Sequence, residues 1–315
     1  MALDHSLAAA FHPRAVAVVG ASANPGDERA GASFVRSLQQ AGFEGPIYPI
    51  HPKAQEVLGL TAYPSVSSLP QPPDLVVVSV PRREVAGVLE DCVRAGARNV
   101  TIYTSGFSET GEEEGKQEEQ KLRQIALRGR LNMLGPNCMG LYVPSARVSL
   151  WEGVSPQPGP VAFLAQSGGH CLQFSHYALG FGIRFSKVIS FGNACLLGAT
   201  DFLEYLKDDP ETRIVALYLE GMRDGPRLVR LVREMNPTKP VIIWKAGLTE
   251  AGARAAASHT GSLAGTRQIW DTFFRQTGAV PATGLDELAD IIMTFLYLKP
   301  LPGGRVALVS SGGGH

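Results

Sequence analysis

No stretch of this sequence stays apolar for the roughly 20 residues that a membrane-crossing helix needs. The N-terminus, MALDHSLAAAFHPRAVAVVG, lacks a basic segment followed by an apolar core and a cleavage site, so no signal peptide is read there. An excess of charge of one sign is missing too: 29 basic residues balance 29 acidic ones, and no basic run or basic-aromatic stripe stands out. Nucleic-acid binding and a polybasic membrane anchor therefore lose their electrostatic support. Cysteine is scarce. Cys92, Cys138, Cys171 and Cys195 form no CxxC pair and no zinc-like spacing, so no metal site is expected. Scattered thiols in an untargeted chain point to a reducing cytoplasm. Neither a Walker-type GxxxxGK[ST] sequence nor a solenoid repeat is found.

What is present is a chain of 315 residues, long enough for about two domains. AVAVVG at 15–20 opens a series of short apolar runs that continues with PIYPI at 46–50, DLVVVSV at 74–80, RNVTIYT at 98–104 and LNML at 131–134. Amphipathic stretches at 31–41, 83–96 and 112–129 separate them. Apolar strands alternating with such helices predict a parallel, doubly wound α/β sheet. The proline- and glycine-rich stretch 144–160 reads as a domain boundary. A second α/β series follows, with VAFLAQ at 161–166, FSKVISFG at 185–192, RIVALYLE at 213–220 and PVIIWKAG at 240–247. The expected division is a first domain over 1–145, a second over 146–300, and the start of a third, truncated unit over 301–315, where RVALVSS runs into glycines.

Two constellations carry chemistry. In the first, Gly20, Ala21 and Ser22 follow the first strand directly and lead to a helix start. Glycine lets the backbone turn tightly there, and the free N–H groups of a helix start attract phosphate. A plain βα connection has the same look. A NAD site also places a carboxylate at the end of the second strand to hold the ribose, but this chain reads Tyr48-Pro49-Ile50-His51-Pro52-Lys53. Lys53 suits a phosphorylated ribose, such as that of coenzyme A; an exposed surface lysine is the bland alternative. Loops containing Val80 and Pro81, Ser105 and Gly106, and Asn137 and Cys138 end three more strands. Ligands of open parallel sheets bind at that edge.

In the second, His259 sits among small residues in Ala257-Ser258-His259-Thr260-Gly261-Ser262. An accessible imidazole is a nucleophile near neutral pH, although a histidine in a polar loop is more often structural. Gln166, Ser167, Gly168 and Gly169 close a strand and open a helix, whose N-terminus attracts phosphate. A tight turn would account for them equally well. Glu220 ends the strand RIVALYLE.

GASANPG, YPIHPK, VSVPRR, TSGFSETG and LGPNCMG together resemble the CoA-binding domain of the NDP-forming acyl-CoA synthetases. That family includes the ADP-forming acetyl-CoA synthetases and, more distantly, the succinyl-CoA synthetase α subunit. AQSGG, ISFGN, TDFLEYLKDDPETRIVALYLEG, KPVIIWKAG and ASHTGSLAG resemble its ligase-type domain, so the resemblance spans essentially the whole chain. It implies a Rossmann-like CoA-binding domain followed by a flavodoxin-like ligase-CoA domain. It further implies an acid–thiol ligase that interconverts acyl-CoA, phosphate and NDP with a carboxylic acid, CoA and NTP. Acyl phosphate and phospho-His259 are the implied intermediates, with Glu220 hydrogen-bonding the imidazole and Gln166–Gly169 binding phosphate. ATP or ADP with Mg2+ would sit on an ATP-grasp domain, in a missing C-terminal part or on a β subunit, within a homo- or hetero-oligomer. His51 departs from the asparagine usual in the family, Gly168-Gly169-His170-Cys171 is less apolar than usual, and Cys195-Leu196-Leu197 is also atypical. Two alternatives stay open: a non-catalytic CoA-binding regulatory module, as in protein acyltransferase fusions, and a NAD(P)-dependent oxidoreductase.

Overall fold

The computed structural model describes residues 7–22, 30–248 and 267–299, together with Gly303, Gly304 and Ala307. The first unit runs α1 (Ala8–Phe11), β1 (Val16–Val19), α2 (Ala30–Gln40), β2 (Ile47–Ile50), β3 (Glu56–Val57), β4 (Leu60–Thr61), β5 (Leu75–Val78), α3 (Arg82–Arg94), β6 (Asn99–Ile102), α4 (Glu113–Gly129) and β7 (Asn132–Leu134). Five of these strands form a parallel sheet in the order β2-β1-β5-β6-β7. Successive side chains of a strand point to opposite faces. Val16 and Val18 accordingly enter one apolar cluster, and Ala17 and Val19 enter another on the other face. Burial on both sides explains why the strands read as continuous apolar runs. Each fully buried valine contributes about 1.5–3 kcal/mol.

The second unit continues β8 (Gly140–Val143), β9 (Val148–Ser149), β10 (Val161–Ala165), α5 (Gly168–Tyr177), β11 (Phe185–Ser190), α6 (Ala199–Asp208), β12 (Ile214–Leu219), α7 (Gly225–Met235), β13 (Val241–Lys245), α8 (Arg267–Thr277), β14 (Val280–Ala282) and α9 (Leu285–Tyr297). Its sheet order is β14-β13-β12-β10-β11-β8-β9, with β8 antiparallel to both β11 and β9. The sequence patterning places Gly140–Val143 in the first domain, yet this segment hydrogen-bonds into the second sheet. The turn-rich stretch 144–160 contains the return to β9 and the crossing to β10.

The two units share one core. Val16, Val18 and Leu75 from β1 and β5, with Phe34 and Leu38 from α2, belong to the same cluster as Leu141, Val148, Trp151 and Phe163 of the second unit. Both sheets direct their strand C-termini toward the join: the ends of β6 and β7 meet the ends of β10 and β11 there. The strand expected over 305–311 lies outside the described residues except for Ala307, which is exposed. Among the described residues no helix is long and apolar enough to cross a membrane.

Candidate functional site

The turn after β1 is built by close approach. Gly20 has φ +89°, and a side-chain carbon there would lie 2.1 Å from the carbonyl oxygen of Ser79. A side-chain carbon on Gly31, in the first turn of α2, would lie 2.2 Å from the Gly20 oxygen. Glycine at both positions lets the helix start settle directly on the turn, the arrangement that exposes N–H groups to phosphate. Ala21 is buried and Ser22 half-buried.

Along the same edge, the turn after β2 leaves Pro52 and Lys53 exposed. His51 shapes that turn: its Nδ1 accepts the N–H groups of Lys53 at 3.2 Å and Ala54 at 2.8 Å. The acceptor role puts the ring proton on Nε2. Val80 and Pro81 end β5, and Thr104 Oγ1 donates to the Val80 oxygen at 2.7 Å, tying that loop to the next. Gly20–Ser22, Pro52, Lys53, Val80 and Pro81 share this edge without lining the hollow described next.

That hollow, about 350 Å³, lies where the two units meet. Ser105, Asn137 and Cys138 line it from the first unit, and Gln166, Ser167, Gly168 and Gly169 from the second. Two sequence constellations about 30 residues or more apart thus form one site. The Cys138 side chain turns inward, with Sγ 3.3 Å from Thr101 Oγ1 and 3.4 Å from the Ile102 oxygen. Burial pushes its thiol up to about 11, so it packs as a neutral group rather than serving as a thiolate.

Asn193, which sequence reasoning passed over, joins the two sides. Its Nδ2 donates to Glu109 Oε2 at 2.5 Å and Glu119 Oε2 at 2.8 Å, while its Oδ1 accepts Asn137 Nδ2 at 3.3 Å. Tyr103, Met139 and Gly192 complete the lining. The ISFGN string carried a usable signal, because a Gly-Asn pair at a strand end is a turn with a free amide side chain.

Ser167 caps α5, its Oγ accepting the His170 N–H at 3.3 Å. The amides of Gly168 and Gly169, in the first turn, have no carbonyl one turn earlier in the helix. Positive helix-dipole charge and open N–H groups thus face the hollow. Gln166 lines the hollow and also braces the neighbouring strand end. Its Oε1 accepts the Glu220 N–H at 2.5 Å and the Gly221 N–H at 2.9 Å, so this oxygen holds backbone rather than contacting a ligand.

Glu220 is only 4% exposed, and among the described residues its Oε2 has no hydrogen-bond partner. A buried carboxylate oxygen without a donor is costly unless something arrives to donate. Burial and the Glu220 carboxylate beside it push the Tyr218 phenol above its ordinary range. His170 stacks on the Tyr218 ring at 4.1 Å, and Trp244 meets both rings edge-on at 4.8 Å. His259 lies outside the described residues.

Residues 14–144 match a family model described as CoA binding domain, and residues 158–295 match one described as Succinyl-CoA ligase like flavodoxin domain. The chain is similar to the ADP-forming acetate–CoA ligase I of Archaeoglobus fulgidus, at 37% identity over 305 residues, 96% of this chain and 44% of that protein. It is similar to the α subunit of the ADP-forming acetate–CoA ligase I of Pyrococcus furiosus, at 38% identity over 314 residues, 98% of this chain and 67% of that subunit. A solved structure of the dinucleotide forming acetyl-coenzyme A synthetase 1 of Ca. Korarchaeum cryptofilum, in complex with phosphate and ADP, superposes with a TM-score of 0.85 at 37% identity, over 90% of this chain and 61% of that one. The chain thus spans less than half of the Archaeoglobus protein and about two thirds of the Pyrococcus subunit.

Proposed function

The chain belongs to the family of NDP-forming acyl-CoA synthetases, and we propose that it supplies the CoA-binding and phosphoryl-relay parts of an acid–CoA ligase. One observation carries this reading. Glu220, a buried carboxylate whose Oε2 has no partner among the described residues, follows the strand next to the one that leads into an open helix N-terminus, and that N-terminus shares a hollow with the loops of the CoA-binding unit.

In the proposed reaction a phosphate oxygen attacks the thioester carbonyl carbon of acyl-CoA. A C–O bond forms, the C–S bond breaks, and the leaving thiolate takes up a proton as free CoA. A ring nitrogen of His259 then attacks the phosphorus of the acyl phosphate. An N–P bond forms, the P–O bond to the acyl group breaks, and the carboxylate leaves. The phosphoryl group finally passes to the terminal phosphate of a nucleoside diphosphate, and His259 returns to its free form. Every step reverses, so the same groups activate an acid at the expense of NTP.

Each described residue takes a role from its geometry. Gly168 and Gly169 present amides to the phosphoryl group at the start of α5. Glu220 Oε2 accepts one ring N–H of His259, which fixes the tautomer and leaves the other nitrogen free to attack. The CoA-side loops, with Gly20–Ser22 for the diphosphate and Lys53 for the ribose phosphate, hold the thioester so that its carbonyl reaches the hollow. The nucleotide and Mg2+ are assigned to an ATP-grasp domain or β subunit, with which this chain assembles. Four free, buried thiols fit a cytoplasmic setting.

The test uses the full-length protein with a panel of acyl-CoAs. Phosphate-dependent release of free thiol, with acyl phosphate trapped as its hydroxamate, is the expected result. Tight CoA binding with no thiol release from any acyl-CoA contradicts the reading and leaves a CoA-binding regulatory module as the better account.

A further inference from the structure

Glu220 lies one residue beyond β12, where the regular strand ladder has ended. Its peptide is nevertheless held from both sides. Gln166, one residue beyond the neighbouring β10, accepts the Glu220 and Gly221 N–H groups on a single side-chain oxygen. Lys245, the last residue of β13 on the opposite flank, donates from Nζ to the Glu220 carbonyl at 2.9 Å and also to the Ala246 carbonyl. Strand β12 lies between β10 and β13 in the sheet, and the two side chains extend the ladder just beyond its last backbone bonds, from the Gln166 N–H to the Tyr218 carbonyl and from the Ala246 N–H to the Leu219 carbonyl.

Gln166 is half-buried at the hollow, whereas Lys245 is enclosed. Lys245 is 4% exposed and lies 5.6 Å from the centre of the Trp270 ring. Burial lowers its ammonium to about 8. Among the described residues both of its hydrogen-bond acceptors are main-chain carbonyls rather than carboxylates. A buried lysine normally pairs with an acid; this one is committed to holding a strand end.

We infer that Gln166 and Lys245 are positioning residues that lock the Glu220 peptide from both flanking strands, so that Oε2 stays aimed at its incoming donor. The inference rests on the ligase reading, in which that donor is the ring of His259. It assigns the Gln166 side-chain oxygen, shared by two N–H groups, to the Glu220 peptide. Phosphate contact stays with the amides of Gly168 and Gly169. A small shift of an orienting group lowers rate more than binding, by as much as about 10²-fold for a misplacement of roughly 1 Å.

The experiment measures the rate of phosphoryl labelling of the full-length protein from labelled inorganic phosphate and a panel of acyl-CoAs, across phosphate concentrations with whichever acyl-CoA labels the parent fastest. Gln166→Leu and Lys245→Met are expected to lower the maximal rate about tenfold or more, with half-saturating phosphate unchanged. Gln166→Glu keeps an acceptor oxygen and is expected to retain most of the maximal rate, at weaker phosphate binding. Amide exchange, read in parallel, is expected to speed up at Glu220 and Gly221 in Gln166→Leu while Leu217 in mid-β12 stays protected. If Gln166→Leu does not fold, Gln166→Glu and Lys245→Met decide the matter. A rise in half-saturating phosphate with an unchanged maximal rate in Gln166→Leu overturns the inference, as does parent-like labelling in Gln166→Leu and Lys245→Met. A parent that never labels removes the ligase reading and the positioning role with it, whereas a labelling parent with unmoved variants removes only the clamp.

Discussion

Lys187 has no exposed surface, and its ammonium lies 2.8 Å from Asp209 Oδ2 and 2.7 Å from Glu211 Oε2. A lysine in the middle of β11 is tolerated only because both carboxylates come to it. Deleting one partner of such a group is costly because the other is left buried and unpaired. Lys187→Met is expected to lower stability by about 3–5 kcal/mol in denaturant unfolding. The pH dependence has a definite sign. Although burial works the other way, the hydrogen bonds from Lys187 and Thr212 hold the Asp209 carboxyl below the ordinary aspartate range. A depressed carboxyl contributes stability that is present above its unfolded value and lost as pH falls through its folded value. The parent is therefore expected to lose stability below about pH 4, and Asp209→Asn to show a shallower acid decline from a lower starting stability. An equal acid slope in both proteins contradicts this account.

At the scale of elements, function depends on how closely the start of a helix can approach the end of a strand. The β1 turn and α2 touch through Gly20 and Gly31, where side-chain carbons have no room. Gly20→Ala is expected to weaken CoA binding at least about tenfold, because it combines a left-handed backbone with a carbonyl clash. Isothermal titration with CoA checks this, and parent-like affinity contradicts it. The helix-versus-strand pattern itself was largely legible: the apolar runs at 15–20, 74–80 and 161–166 became β1, β5 and β10 within two residues at either end. The missed strands β3, β4, β8, β9 and β14 are short, and all but β14 pair antiparallel, where no long apolar run marks a strand. The hold of Gln166 on the Glu220 peptide was not legible for a related reason. Sequence places it next to a phosphate-type turn, but which neighbour takes its oxygen depends on the strand order, β10 beside β12, which sequence does not display.

Across the whole molecule, the proposed active centre belongs to neither unit alone. Asn193 of the second unit holds Glu109 and Glu119 of the first, and the hollow takes its walls from four strand ends. Sequence reasoning found most of those walls, because Gly, Ser and Asn at strand C-termini are local signals. The join itself was not legible: Asn193, Tyr103 and Met139 reach the site only once the two sheets share a core. The burial of Glu220 likewise follows from packing, since a glutamate at a strand end looks solvated in the sequence. The central claim is that this join relays a phosphoryl group through His259 under the control of Glu220. The most direct test incubates the full-length protein with labelled phosphate and an acyl-CoA, beside His259→Ala and Glu220→Gln. The account predicts an acid-labile, base-stable phosphoryl adduct on the parent, none on His259→Ala, and labelling slowed about 10²-fold in Glu220→Gln. An unlabelled parent, or equal label on His259→Ala, contradicts it.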